Sequence, residues 1–174
     1  MSIGDDRPEM TAAPFTLPGL SGRVAVDVRA HVDGWAVKAI ELNGSDVTDT
    51  AIDLNGYGTT ATLRVVLTNR TGELNGTVSV RGQPRAASVI VFPEDPGRWT
   101  YPSRLVRVVK TGADGQFRMP GLPPGERYKA VALSYIEQDE SQDPEFLDRI
   151  QSSGTEFTLS AGEKKRLTLT PVAR

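Results

Sequence analysis

The sequence predicts an all-β protein, a Greek-key β-sandwich carrying one short helix near residues 144–150. Three observations lead there. Apolar residues alternate with polar ones over short runs, the period of two that a half-buried strand needs. Gly, Pro, Asn and Asp separate those runs, as tight turns require. Only one stretch, DPEFLDRI at 143–150, has helical spacing: Asp143 is placed to cap, Pro144 takes the first helical position, and Phe146, Leu147 and Ile150 share an apolar face.

In chain order, residues 1–14 are polar and proline-containing with almost nothing to bury, which predicts a flexible segment. Val24, Val26 and Val28 alternate with Ala25, Asp27 and Arg29 as a strand. Trp35, Val37, Ala39 and Glu41 alternate with Ala36, Lys38, Ile40 and Leu42, a clear strand period without a clear inward face. LNGSDVTDT at 42–50 is a turn region, because Asn43-Gly44 readily takes positive φ and the Asp and Thr side chains can cap backbone groups. Leu63, Val65 and Leu67 form the inward set of the next strand.

The second half repeats the style. Leu74, Val78 and Val80 read as a strand interrupted at Asn75-Gly76, and AASVIVFP at 86–93 as one closed by Pro93. Residues 105–109 give another, ended by KTGADG. A short strand at 116–119 enters PGLPPG, expected to be a hydrogen-bond-poor turn. Tyr128, Ala130 and Ala132 alternate with Lys129, Val131 and Leu133. Phe157 with Leu159, and Leu167 with Leu169, make the last two strands around Ala161-Gly162.

An internal repeat sets the expected boundaries. FTLPGL at 15–20 returns as FRMPGL at 117–122, an offset of 102 residues (15 to 117), and the same offset carries Leu67-Thr68 onto Leu169-Thr170. Residues 71–174 then hold a complete seven-stranded unit, with strands on both sides of the PGL segment. Residues 15–70 hold only the later half of one. A half sandwich leaves apolar surface and strand edges to cover, either against the complete unit or in a homodimer formed through the partial unit.

Gly76 with Val78, Asp114-Gly115-Gln116-Phe117, and Leu122-Pro123-Pro124-Gly125 followed by Tyr128 carry a family resemblance. Residues 71–133 resemble the carboxypeptidase regulatory-like domain family, which is transthyretin-like or prealbumin-like and related in shape to Cna B-type surface domains. Gly112 stands where the family has its first acidic residue, and Tyr128 falls one place late. The resemblance implies a prealbumin-like sandwich of the kind found in tandem in large bacterial exported proteins. It also implies an extracellular, cell-surface or periplasmic location as part of a longer precursor. Related Cna B-type domains can form an internal bond between a first-strand lysine and an asparagine or aspartate, but residues 74–80 contain no lysine. Lys110, Lys129, Lys164 and Lys165 come later, and Lys38 reads as a surface lysine lying along apolar neighbours.

The remaining chemistry is sparse. Twenty basic against 22 acidic residues give a net charge of −2, with no electrostatic reason to expect nucleic acid or an anionic membrane as partner. The chain has no cysteine, so no disulfide and no thiol nucleophile. No apolar run is long enough for a membrane helix, and the opening residues lack the basic-then-apolar order of a signal peptide. His31 is the single histidine, and neither Asp46 with Asp49 nor Asp139 with Glu140 and Asp143 has calcium-loop spacing, so no metal or cofactor is expected. No nucleophile elbow, phosphate loop or dinucleotide fingerprint occurs, and an enzyme is not expected.

One segment stands out as a binding edge. PEDPGRWTYPSR at 93–104 is a long loop between two strands, carrying Arg98, Trp99 and Tyr101. Those three residues are the candidate binding set. Trp99 and Tyr101 could stack on a sugar ring or anchor a protein partner; the competing role for Trp99 is a ring folded back over its own core. The expected function is thus a non-catalytic structural or protein-interaction module, with carbohydrate binding through Trp99 and Tyr101 as the alternative.

Overall fold

The computed structural model describes residues 13–28, 32–56, 60–137 and 139–172. The expectations for residues 1–12 and for His31 lie outside the described residues.

The described residues of the first region form five strands. β1 (Arg23–Val24) pairs antiparallel with β4 (Ile52–Asp53). β2 (Ala36–Leu42) is the centre of a second sheet, between β3 (Ser45–Asp46) and β5 (Leu63–Thr68). The β2–β3 hairpin turns at Asn43 and Gly44, whose φ values of 49° and 86° are those the sequence anticipates at that pair. The valine alternation at 24–28 survives as burial, since Val24, Val26 and Val28 are half-buried and Ala25 and Asp27 exposed, but the strand ends at Val24. Trp35 precedes β2 rather than lying in it. In β2 the inward face belongs to Val37, Ile40 and Leu42. A bulge between Val37 and Ala39 leaves Lys38 without a partner on β5, so it turns to solvent although period two puts it with Ile40 and Leu42.

The second region is a sandwich. β6 (Gly72–Val80) lies between β10 (Gln116–Leu122), antiparallel, and β13 (Lys164–Leu169), parallel, with the two-residue β7 (Gln83–Pro84) at its end. The facing sheet has β8 (Ser88–Pro93) and β11 (Arg127–Leu133) at its centre, flanked by β9 (Arg107–Lys110) and β12 (Thr155–Thr158). Leaving aside β7, the described residues of the region form the seven strands expected. Leu74 and Val78 of one sheet meet Val89, Val91, Tyr128 and Ala130 of the other in a single core.

A third layer covers the outer face of the second sheet. The helix α1 (Pro144–Ile150) begins as the sequence dictates, with Asp143 accepting from the backbone N–H of Glu145 and Pro144 at its start. Its buried Phe146, Leu147 and Ile150 pack on Ile90, Phe92, Val131 and Leu133. This explains the unbroken apolar run of β8: with apolar layers on both sides, all six of its residues are buried.

Two further expectations, both in the second region, are corrected. β6 is not interrupted at Asn75-Gly76, because Gly76 is a packing position. A Cβ there would stand 2.2 Å from the Leu167 carbonyl oxygen and 2.7 Å from ring carbons of Phe117, so glycine lets β13 and the Phe117 ring close on the strand. Nor is the PGL of 120–122 simply a turn. β10 runs through it to Leu122, with an irregularity between Met119 and Leu122 where Gly121 takes φ 76°.

Candidate functional site

The two regions meet along β10 and the 93–104 loop. Thr71 Oγ1 donates to the Gly34 carbonyl at 2.7 Å, and the left-handed Gly121 brings its Cα close to the Trp35 carbonyl, where a Cβ would be 3.1 Å away. Arg118 on β10 donates to Asp33 at 2.8 Å and to Glu73 at 2.6 Å, so one guanidinium ties both regions.

A second ionic cluster lies at the loop. Arg104 donates from Nε and Nη2 to the two oxygens of Asp49 at 3.0 and 3.3 Å, and from Nη1 to the Val37 carbonyl at 3.2 Å. Arg98 Nη2 stands 3.1 Å from Asp49 and 2.9 Å from Glu126. Planar, two-point pairing of Arg104 with Asp49 gives direction as well as charge. Each pair is partly solvated and contributes about 1 kcal/mol or less, but together they fix an orientation.

The loop is held from within. Asp95 accepts from the Gly97 N–H, and Trp99 Nε1 donates to the Pro93 carbonyl at 2.8 Å. The Trp99 ring is edge-on to Phe92, with centroids 5.8 Å apart and planes at 78°. Gln142 accepts from the Ser103 N–H at 2.8 Å and donates back to the Ser103 and Val106 carbonyls.

The three candidate residues are thereby separated. Trp99 is 6% exposed and belongs to the helix-side core, in keeping with the alternative of a ring folded back over its own domain. Arg98 spends its guanidinium on Asp49 and Glu126. Tyr101 is 73% exposed, on the rim of a cleft of about 770 Å³ between the two regions, with Trp35, Arg104, Val108 and Gln142 also in its walls. No sugar platform forms from Trp99 and Tyr101.

Electrostatic perturbations lie mostly outside the cleft. A hydrogen bond from Asn75, then one from Arg118, holds the Glu73 carboxyl below the usual carboxylate range. The Thr48 hydroxyl does the same for Asp46, and the Ser160 N–H for Glu163. Burial pushes the Tyr128 phenol up, while its hydroxyl donates to the Pro123 carbonyl at 2.9 Å and anchors the Pro-Pro-Gly turn. Among the described residues no group of three His, Cys, Asp or Glu side chains is placed to hold a metal ion, and no helix is long and apolar enough to cross a membrane.

Sequence reasoning missed the pairing of the residues that join the regions: Asp49 with Arg104, and Asp33 with Arg118. Asp49 and Arg104 are 55 positions apart, and neither segment signals the other. Asp49 is read from the sequence as part of the capping turn at 42–50 and weighed with Asp46 as an oxygen ligand, not as the partner of an arginine.

No family model matches the sequence, and no curated relative matches it. Among solved structures, the chain is similar to the group B streptococcus pilus 2b backbone protein, at 12% identity and a TM-score of 0.33 over 70% of this chain and 45% of that one. It is also similar to the major pilin subunit of Bacillus cereus, at 9% identity and a TM-score of 0.35 over 79% of this chain and 56% of that one. The chain spans about half the length of these structures.

Proposed function

We propose that the chain is a non-catalytic, structural or protein-interaction part of a larger exported bacterial protein. Residues 15–70 are the later half of a repeated unit and residues 71–174 a complete carboxypeptidase regulatory-like unit. The observation that carries the structural reading is the double tie between the regions, with Asp49 receiving Arg104 and Arg98 on one side and Arg118 bridging Asp33 and Glu73 on the other. Ties of this kind suit a stiff spacer that holds successive units at a set angle. The family resemblance supports the exported location. A protein partner fits the exposed Tyr101 better than a glycan does, since Trp99 supplies no second ring.

NMR relaxation on the full chain tests this. The wild type is expected to tumble as one body, with a single correlation time for residues of β2 and β11. Asp49→Ala combined with Arg118→Ala is expected to split it into two. Independent tumbling in the wild type would sink the spacer reading.

A further inference from the structure

The tripeptide Leu-Asn-Gly occurs three times in the chain, at 42–44, 54–56 and 74–76. An asparagine followed by glycine is open to attack on its own side chain, because glycine has no Cβ to keep its nitrogen away from the asparagine side-chain carbonyl. The three copies share that local chemistry, so their surroundings decide which of them reacts.

Two copies are held. Asn75 and Gly76 lie inside β6, with Arg118 opposite Asn75 on β10 and Arg166 opposite it on β13. The Asn75 side chain donates to Glu73 at 2.8 Å, and the space beside Gly76 is filled by the Leu167 carbonyl and the Phe117 ring. Asn43 is pinned at two atoms by one residue. Its N–H donates to the Thr62 carbonyl at 2.9 Å, and its Oδ1 accepts from the Thr62 N–H at 2.8 Å. Swinging either side chain toward the next nitrogen breaks these bonds. The third copy is different. Leu54–Gly56 is a single 3-10 turn, which has no cooperative ladder to hold it. Asn55 and Gly56 are both exposed, and the side-chain amide of Asn55 has no hydrogen-bond partner among the described residues. Its main-chain N–H donates to Asp53 Oδ1 at 3.0 Å.

We propose that Asn55-Gly56 is a self-modifying site, at which the asparagine converts without an enzyme to aspartate and isoaspartate and thereby loosens the pairing of β1 with β4. The Gly56 nitrogen attacks Asn55 Cγ and forms a new C–N bond. The Cγ–Nδ2 bond breaks, and ammonia leaves with the proton from the Gly56 amide. Water from the solvent then opens the cyclic imide, with no electron transfer at any stage. Addition at Cγ gives aspartate. Addition at the main-chain carbonyl gives isoaspartate, whose main chain runs through the former side chain and is longer by a methylene. Either product puts a carboxylate beside Asp53, the acid that already accepts from the N–H of residue 55, and like charges at that range repel. The isoaspartyl form also lengthens the turn. β4 is two residues long and is held by Arg23 and Val24 of β1, and just beyond it the Leu54 N–H donates to the Gly22 carbonyl at 2.9 Å. A pairing that short has little reserve. The inference does not use the ionic ties between the regions, so it and the spacer reading fail separately.

The test incubates the full chain in mildly alkaline buffer made with heavy-oxygen water and follows all three asparagines by peptide mapping and mass spectrometry. Asn55 is expected to convert at least about tenfold faster than Asn43 or Asn75, because those two must first open native pairing. Its products are expected to be isoaspartate and aspartate together, each carrying a solvent oxygen. Gly56→Ala is the control. A Cβ there meets nothing within 4 Å, so the fold is kept, while conversion of Asn55 is expected to slow about tenfold. In the converted chain, hydrogen exchange at the Leu54 amide is expected to quicken about fivefold or more. Similar rates at the three asparagines, fastest conversion at Asn43 or Asn75, or a rate indifferent to Gly56→Ala overturns the site. An unchanged Leu54 amide in the converted chain overturns the loosening.

Discussion

The strands β5 and β8 are both short, apolar and six residues long, yet β8 is buried throughout and β5 has no residue fully buried. The difference is the number of layers. β8 has the facing sheet on one side and α1 on the other, whereas β5 lies at the edge of a three-stranded sheet that, among the described residues, has no second layer of comparable depth. Apolar sequence states what gains from burial; the neighbouring layers decide how much of it is realised. The same contrast separates Phe117, 6% exposed, from Phe15 at the matching position of the repeat, 55% exposed.

Substitutions can break that comparison, and the largest effect is expected at Gly76. Gly76→Val places a side chain against a backbone oxygen and an aromatic ring at once, so a loss of more than about 4 kcal/mol, or no folded second region, is expected in urea unfolding. A loss below about 1 kcal/mol would mean β13 can move away freely. Next come paired truncations. Leu147→Ala under the helix is expected to cost about 3 kcal/mol, and Val65→Ala in β5 only roughly 1 kcal/mol, in keeping with its partial burial. Equal losses would show that the first region is as deeply packed as the second. The smallest effect sharpens the junction. Because Glu73 is held below its ordinary pKa, its contribution to stability is fully present above about pH 4.3 and is lost as pH falls through the lower folded value. Glu73→Gln is expected to flatten that acid limb of the stability curve below about pH 4.3, and an unchanged slope would remove Glu73 from the account.

What could be read from the sequence follows the range of the interactions. Asp143, Pro144 and the apolar face of α1 act within two turns, and the helix forms where they place it. The apolar run of β8 and the Asn43-Gly44 turn are equally local. The bulge at Lys38 is not, because a period of two carries no information about a skipped partner. Asn75-Gly76 looks like a break until Phe117 and Leu167 are seen to need the space. The candidate site was least legible. Proline-rich residues 93–104 read as an open loop, yet Phe92, the Pro93 carbonyl and Gln142 close it over Trp99, so that of its two rings Tyr101 is the exposed one. Asp49 and Arg104 have no local pattern at all.

The parallel pairing of β6 with β13 has a mechanical consequence. These are the opening and closing strands of the second region, side by side from Glu73 opposite Lys164 to Val78 opposite Leu169. A pull on the chain at the two ends of that region slides one strand along the other instead of peeling them apart. The whole ladder then bears the force at once, and rupture requires its bonds to fail together.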